Sequence, residues 1–213
     1  MGALSIDERF SAVHTLTDGT RVRLRMLRPE DRERLRAGFE RLSPQSRYRR
    51  FLSPTPRLTE RMLTYLTHAD GRDHVAIGAE RVEPDGRGGE GLGVARFIRL
   101  ADAPDTAEAA VAVVDDVQGR GLGRLLLATL VEAACERGIR KFRAHVLPGN
   151  APVDTLLGDL AGRVSPAEAD GFSAYEVTLP PAAVQESVLY RVLRAAAAGM
   201  ELVLRTVGLG ESD

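Results

Sequence analysis

The chain has 213 residues, of which 44% are apolar and 28% are charged, and its formal net charge is −1. This size predicts one domain with a small appendage, and the composition is ordinary for a compact globular protein. The near-zero charge gives no field that attracts nucleic acid or anionic membranes, and no run of 18 apolar residues occurs, so we expect neither partner and a cytoplasmic location.

The N-terminal half of the chain begins with a polar segment and continues with a strand and three helices. These features are predicted at residues 1–17, 20–27, 29–42, 43–51 and 59–66. We expect the polar segment to be loosely held. Apolar and arginine side chains alternate in the strand, which is typical of a half-exposed position in a sheet. The first helix starts with Pro29, Glu30 and Asp31, a proline and two acids suited to a first helical turn.

The C-terminal half alternates strands and helices. Strands are predicted at residues 74–82, 93–100, 108–114, 139–147 and 172–179, and helices at residues 121–137 and 153–160. Gly138 directly follows the longer helix, at a position where glycine commonly ends helices in a left-handed conformation. The mixed order of elements predicts an α/β fold.

The cysteine and the histidines give no sign of a metal or redox site. Cys135 is the single cysteine and lies in an apolar helical pattern, which predicts a core thiol in a reducing compartment. The four histidines lack metal-ligand spacing, so we expect no metal. Asp115 and Asp116 precede a turn, where acids are more often solvated or capping than bound to a cation.

A glycine-rich junction is the most informative feature of the sequence. The apolar run at residues 109–114 predicts a buried strand, and Gly119, Gly121 and Gly123 separate it from a leucine- and alanine-rich helix. Such a junction directs backbone N–H groups and the positive end of a helix dipole at one point, which is typical of a phosphate site. Arg120 adds a cation beside it, as does Arg124 further into the helix.

The spacing of the glycines selects among phosphate loops. The third glycine comes one residue too early for a dinucleotide fingerprint, and no Gly-Lys-Ser/Thr follows as a Walker loop requires. A turn that only packs is the plain alternative, but it rarely needs three alternating glycines flanked by arginines. The remaining pattern, Gln118-x-x-Gly121-x-Gly123, resembles the acetyl-CoA pyrophosphate loop of GNAT-type N-acetyltransferases.

The resemblance extends beyond the loop. Residues 27–31, Leu-Arg-Pro-Glu-Asp, and residues 42–48 look like the opening of bacterial protein-lysine acetyltransferase domains. The resemblance implies a GNAT fold over residues 18–181, a central mixed and mostly antiparallel twisted sheet flanked by helices. Acetyl-CoA is then the co-substrate. The implied cofactor-binding residues are Val111, Val113, Val114, Gln118, Gly119, Arg120, Gly121, Leu122, Gly123, Arg124 and Asn150.

The resemblance also implies roles in the chemistry. Backbone groups of the strand at residues 111–114 would hold the pantetheine arm and polarise the thioester carbonyl. Glu108 lies at the start of that strand, where the protein-lysine branch places its general base, and we expect it to be partly desolvated. The alternative is a solvated glutamate at a strand edge. Leu157 stands where many small-molecule enzymes carry a tyrosine acid, and this departure favours the protein-lysine branch.

The cluster Arg47-Tyr48-Arg49-Arg50 has two interpretations. A solvated helix face is the favoured one. Alternatively, the arginines guide an acidic substrate or the 3′-phosphate of CoA.

Residues 182–213 form a separate amphipathic pattern that predicts an appended C-terminal helical extension. Such a helix can pack on its own domain, form a homodimer interface or lie on a membrane. Self-packing is the default and a homodimer comes next, since the near-neutral charge argues against a membrane.

The favoured function is therefore transfer of an acetyl group from acetyl-CoA to a primary amine, preferably a protein lysine, by direct attack with Glu108 as the base. A small-molecule amine or aminoglycoside acetyltransferase is the first alternative. A non-catalytic module that binds acyl-CoA as a sensor or scaffold is the second.

Overall fold

The structure is a computed structural model, and it describes residues 4–51, 57–146, 164–169 and 172–179. Eight strands of this part form one sheet. They are β1 Ser11–Thr15, β2 Arg21–Met26, β3 His74–Val82, β4 Gly88–Arg99, β5 Thr106–Val113, β6 Lys141–Val146, β7 Val164–Ala169 and β8 Phe172–Thr178. The described helices are α1 Arg32–Glu40, α2 Pro44–Phe51, α3 Glu60–Thr67 and α4 Leu122–Glu136.

The sheet is mixed and mostly antiparallel, as expected. Its strand order is β1-β2-β3-β4-β5-β6-β8-β7. Only β5 and β6 pair in parallel among the described strands. The reason is the connection through α4, because a parallel pair requires a crossover that a helix supplies. This architecture confirms the predicted fold class.

The parallel pair β5–β6 is short, and the two strands then separate. The last pair of residues that lie opposite each other in β5 and β6 is Glu108 and Arg143. On its other side, β5 stays paired with β4 as far as Val113, which lies opposite Gly93. Among the described strands, residues 109–113 are therefore paired along one edge only. Because one edge is unpaired, residues 109–113 are half-buried. The sequence predicted a fully buried strand here, and that prediction was wrong.

The two faces of the sheet carry different helices. Helix α4 covers one face, and its apolar positions pack against side chains of β3, β4 and β5 in the main core. Four leucines of α4 are at most 1% exposed: Leu122, Leu125, Leu126 and Leu130. The helices α1–α3 cover the other face with a smaller apolar cluster that contains Phe39, Leu63 and Leu66.

Two strands were not predicted. β1 lies in the segment expected to be loosely held, and that expectation was wrong, because residues 11–15 pair with β2 and the neighbouring Ile6 and Leu16 are buried in the core. β7 contains Pro166, which argues against a strand in the sequence. The proline is tolerated because β7 is the last strand of the sheet. The predicted helix at residues 153–160 and the extension at residues 182–213 lie outside the described residues.

The other predicted elements occur close to their expected bounds. β4 starts earlier than predicted, at Gly88, because the preceding turn is tight and is closed by a hydrogen bond from the Glu83 amide to the Arg87 carbonyl. Gly138 ends α4 with a φ of 75°, as predicted. In the part of the chain that the structure describes, no helix has the length and apolar character to cross a membrane.

Candidate functional site

The loop after β5 is held by its own side chains. Residues 115–117 form a single 3-10 turn, and Val117 of this turn is buried in the core. The side-chain amide of Gln118 donates hydrogen bonds to the Val113 carbonyl and to Asp115 Oδ1, both at 2.9 Å. Gln118 therefore closes the turn on the end of β5 and fixes where the following glycines begin.

The three glycines of the loop have two different roles. Gly119 has a φ of 76° and Gly121 a φ of 90°, in the left-handed region that favours glycine. Gly123 lies inside α4, and an added Cβ would meet only Val113 Cγ2 at 3.8 Å, an ordinary contact. Gly123 has an ordinary helical backbone and does not need a positive φ. Only the first two are required by the backbone.

The N-terminus of α4 offers backbone donors. Gly121 is the N-cap residue, and no described side chain caps it. The first N–H groups of any helix have no partner within the helix. The first turn contains no acidic residue, and Arg124 lies exposed in it. The side chain of Leu122 is buried in the core, so this residue offers its backbone only. Donors and a cation thus converge where the sequence predicts a pyrophosphate.

Arg120 is placed differently from the expectation. Its guanidinium forms an ion pair with Asp18 and donates to the Asp116 carbonyl. Its own carbonyl accepts a hydrogen bond from the Thr17 hydroxyl at 3.2 Å. The side chain of Arg120 thereby ties the loop to the β1–β2 turn, and its contribution to an anion site rests on its backbone.

The acidic pair before the glycines joins the loop to the helices of the opposite layer. Asp115 Oδ2 accepts a hydrogen bond from the Ser43 amide at 2.8 Å. Although burial raises the pKa of Asp115, hydrogen bonds from Ser43 and Ser46 hold it below its ordinary value. Asp116 forms an ion pair with Arg41 at 2.7 Å. The pair fixes the junction, in agreement with the interpretation that these acids cap the turn.

The valines predicted to bind the cofactor have buried or half-buried side chains. Val111 and Val113 pack against the main core on the α4 side, and Val114 is 3% exposed. Their side chains are thus engaged in the fold. The Val114 amide donates to the Leu92 carbonyl, and the Val114 carbonyl accepts from the Val117 amide, so its backbone is engaged as well. Because hydrogen-bonding direction alternates along a strand, the backbone left for the predicted pantetheine contact is that of Val111 and the Val113 amide. Asn150, the remaining predicted residue, lies outside the described residues, and so does Leu157.

Glu108 lies where β5 and β6 begin to separate. It is opposite Ile98 on β4 and Arg143 on β6. Its side chain is exposed. The expected partial desolvation is therefore not found, because the strands diverge at this point and leave the carboxylate at the mouth of the gap.

Two arginines lie near Glu108: Arg50, from the cluster at residues 47–50, and Arg96, which the sequence did not single out. Arg96 of β4 is 3% exposed, and its Nη2 donates to the Leu66 carbonyl at 3.1 Å, while Nη1 lies 3.3 Å from His74 Nε2. Burial, together with the charge of nearby Arg50, lowers the pKa of Arg96 to about 9. Burial and Arg96 also lower the pKa of His74. The sequence contained one indication that Arg96 is buried, because this arginine lies between Ala95 and Phe97 in an apolar strand.

Arg50 of α2 is half-buried, with its guanidinium 5.0 Å from the ring centre of Phe51. Burial lowers the pKa of Arg50, and the charge of Glu108 acts in the opposite direction. The favoured interpretation of residues 47–50 as a solvated helix face was wrong for this residue. α2 turns Arg50 toward the sheet because it packs on β5.

A cavity separates the helices α1–α3 from the sheet, and Arg50 and Arg96 both line it. Its apolar walls include Phe39, Phe51 and Leu66. The strand residues at its floor include Ala112, which shares a face of β5 with Glu108 because side chains alternate along a strand. The cavity therefore lies on the Glu108 face of the sheet, opposite α4.

The far end of the cavity is closed by a buried ion cluster. Arg25 donates to Asp31 Oδ2 at 2.7 Å and forms an ion pair with Glu80 at 2.9 Å. Asp31 and Glu80 are 3% and 5% exposed. These two carboxylates raise the pKa of Arg25 despite its burial. Within the described residues, no group of three or more histidine, cysteine or acidic side chains has a metal-binding arrangement.

The fold and the loop define an acetyltransferase of the GNAT type. The chain belongs to the Acetyltransferase (GNAT) family, whose family model matches residues 40–157, more than half of the sequence. This membership confirms the resemblance inferred from the glycine loop.

Two relatives of the chain are acetyltransferases from bacteria. The chain is 35% identical to Acetyltransferase Pat of Mycolicibacterium smegmatis over 158 residues, which cover 74% of this chain and 46% of Pat. It is 36% identical to Acetyltransferase PA5475 of Pseudomonas aeruginosa over 129 residues, 61% of this chain and 68% of that protein. The chain thus spans about half the length of Pat.

Among solved structures, the GNAT domain of S. lividans PAT superposes with a TM-score of 0.72 at 35% identity. The match covers 79% of this chain and 97% of that domain. The shared part therefore includes nearly the whole solved domain.

Proposed function

We propose that this protein transfers the acetyl group of acetyl-CoA to a primary amine, with a protein lysine as the preferred acceptor. The observation that carries the proposal is the separation of β5 from β6 at Glu108. It leaves one edge of β5 open, between an uncapped helix N-terminus at one end and a carboxylate at the other.

The donor side is supported by the backbone of β5 and of the glycine loop. An open strand edge pairs with an extended chain of amide groups, and the pantetheine arm of CoA is such a chain. The N–H groups from Gly119 to Arg124 suit the diphosphate, because anions are favoured at a helix N-terminus. We assign cofactor binding to these backbone groups, with Arg124 as the adjacent cation.

The acceptor side requires a base. A lysine amine is protonated at neutral pH and cannot attack, so the proton must leave first. We assign this step to Glu108, which takes the proton directly or through water. Acetyl-CoA supplies the acetyl group as a thioester. Backbone N–H groups of β5 stabilise the oxyanion that forms when the amine adds to the carbonyl.

The leaving group places a weak demand on the protein. A thiol has a pKa near ~8.5, so a thiolate leaves without an obligatory acid. This agrees with the leucine at position 157, where the sequence resemblance places a tyrosine in many small-molecule enzymes.

The preference for a protein lysine is supported by the likeness to Acetyltransferase Pat and to the PAT domain. The second candidate acceptor is a small amine, and the concave, largely apolar cavity on the Glu108 face of the sheet favours it. Residues 182–213 are proposed as a helical extension that packs on this domain or forms a homodimer interface, to be tested by light scattering. A cytoplasmic location is proposed with the reaction, since the chain has one cysteine and no internal disulfide.

Calorimetric titration with acetyl-CoA and CoA, together with a thiol-release assay on lysine peptides and polyamines, tests the proposal. Binding with turnover on lysine peptides is expected. Turnover on polyamines alone would select the small-molecule acceptor. Binding without turnover on any acceptor would select a sensor, and failure to bind CoA would refute both catalytic and sensor functions.

A further inference from the structure

The cavity contains a buried cation whose charge no described residue neutralises. Arg96 is 3% exposed, and both of its hydrogen-bond partners, the Leu66 carbonyl and the His74 ring, are uncharged groups. Its Nε is buried without a hydrogen-bond partner among the described residues. Arginine is rarely buried unless an acid pairs with it. In the described part of the chain, no carboxylate forms an ion pair with Arg96.

The same cavity shows how this fold neutralises a buried arginine. At its far end, Arg25 donates to two buried carboxylates, Asp31 and Glu80, which also pair with the more exposed Arg23 and Arg34. Arg96 lacks such a pair and has a second cation, Arg50, close enough to lower its pKa. The difference between the two ends points to a negative charge that comes from outside the protein.

The neighbouring groups do not supply that charge. Tyr65 interacts electrostatically with both arginines, but a phenol is neutral at pH 7. Among the described residues, Glu108 is the carboxylate whose charge acts on Arg50, and it is exposed. Within that part of the chain, the two neighbouring guanidinium groups are thus offset by one exposed carboxylate at most. When Glu108 takes a proton in the proposed reaction, the excess of positive charge increases further.

The two arginines are also placed close to the reaction. Arg96 lies opposite Ala110 on β5, two residues from Glu108 along the strand. Arg96 and Glu108 are therefore diagonal neighbours on one face of the sheet, and the Cα atoms of such neighbours are about 7–8 Å apart. A substrate that reaches Glu108 with its amine or its acyl group can therefore reach the arginines with another part of the same molecule.

We propose that Arg96 and Arg50 form a subsite for a carboxylate group of the substrate, beside Glu108. The planar guanidinium binds a carboxylate through paired hydrogen bonds, and such bonds strengthen in a water-poor cavity. The carboxylate belongs either to the acyl group, as in succinyl-CoA, or to an amino-acid acceptor. The subsite deepens the proposed transfer reaction and rests on it for its role in selecting substrate.

A binding experiment on the full chain tests the subsite without any turnover. Succinate should raise the Tm of the wild-type protein, and succinamide, its neutral counterpart, should not. In Arg50→Gln and Arg96→Met the affinity for succinate should fall by about 10- to 100-fold. Arg61→Gln is the matched control, because Arg61 is exposed on α3 away from the cavity and the variant changes the net charge equally.

The free variants provide a second readout. Arg50→Gln should raise the Tm in buffer, because it relieves repulsion with Arg96, whereas an arginine with a structural role would lower the Tm when removed. If Arg96→Met does not fold, Arg96→Lys replaces it and should still bind succinate, more weakly. Equal effects of succinate and succinamide, or unchanged binding in Arg50→Gln, would overturn the subsite.

Kinetics then identify the source of the carboxylate. If the wild-type protein prefers succinyl-CoA over acetyl-CoA with the same amine, and Arg50→Gln loses this preference, the carboxylate belongs to the acyl group. If the wild-type protein with acetyl-CoA prefers an amino acid over its amide, and Arg50→Gln loses this preference, the carboxylate belongs to the acceptor. Wild-type protein without either preference would refute the role in substrate selection. Absence of all transfer, with arginine-dependent succinate binding intact, would refute the transfer reaction and leave the subsite standing.

Discussion

Gly121→Ala replaces a hydrogen by a methyl group at a residue whose φ is 90°. For an L-residue, left-handed backbone costs about 1–2 kcal/mol. Gly121 is also the N-cap of α4, a position at which glycine is preferred over alanine. We therefore expect Gly121→Ala to lower the free energy of unfolding by about 1–2 kcal/mol.

The same change should weaken binding of CoA. Relief of the strain moves the N–H groups of the loop away from their common point, so the affinity for CoA should fall together with stability. Gly123→Ala is the matched control two residues further on. Its Cβ meets Val113 Cγ2 at 3.8 Å, and alanine is favoured over glycine in a helix by up to about 1 kcal/mol.

Urea unfolding and calorimetric titration with CoA measure both effects. The expected order of stability is Gly123→Ala at or above wild type, and Gly121→Ala below it. Equal stability of the two variants would show that the left-handed backbone at Gly121 carries no cost. Unchanged CoA affinity in Gly121→Ala would remove the loop geometry from the binding site.

Three further changes test other parts of the structure. Glu108→Gln should reduce turnover by about 10²–10⁴-fold and flatten its rise with pH while leaving CoA affinity nearly unchanged; unchanged rates in a steady-state assay would exclude Glu108 as the base. Burial raises the pKa of Asp31, but hydrogen bonds from Arg25 and the Arg28 amide outweigh this effect and lower the pKa overall. The ionised Asp31 therefore stabilises the fold fully at a pH above the ordinary carboxyl pKa, and this stabilisation is lost as the pH falls below about 4. In urea titrations from pH 7 to pH 3, Asp31→Asn should show a smaller acid loss than wild type, and an identical loss would contradict the ion cluster. Thr59→Ala removes the side-chain oxygen that accepts from the Met62 amide at 3.2 Å, and should cost about 0.5–2 kcal/mol in urea unfolding, whereas Thr59→Ser should cost less.

The parts of the fold that follow from local chemistry could be predicted from the sequence. The glycine spacing at residues 119–123, the alternation in β2 and the glycine after α4 each act within one or two turns of chain. β1 depends instead on pairing with β2, and its five residues carry no strong pattern of their own. β7 includes a proline whose tolerance depends on its being at the sheet edge.

The candidate site divides in the same way. The loop that offers N–H groups to an anion is a local structure, so its residues could be found from their order. The pair formed by Arg50 and Arg96 comes from α2 and β4, far apart in the sequence. Which side of α2 faces the sheet is decided by packing around Phe39 and Phe51, whose rings lie 5.7 Å apart. Sequence patterns do not contain that orientation.

Strand β5 joins the two halves of the proposed reaction because each of its sides has a separate task. Ala109, Val111 and Val113 face α4 and hold the strand in the core. Ala112 faces the cavity with the arginines, on the same side as Glu108. The open edge toward β6 is left for the donor. Glu108 lies at the start of the open edge and on the cavity face of the sheet, so in the proposed reaction we expect a substrate bound in the cavity to meet the thioester there.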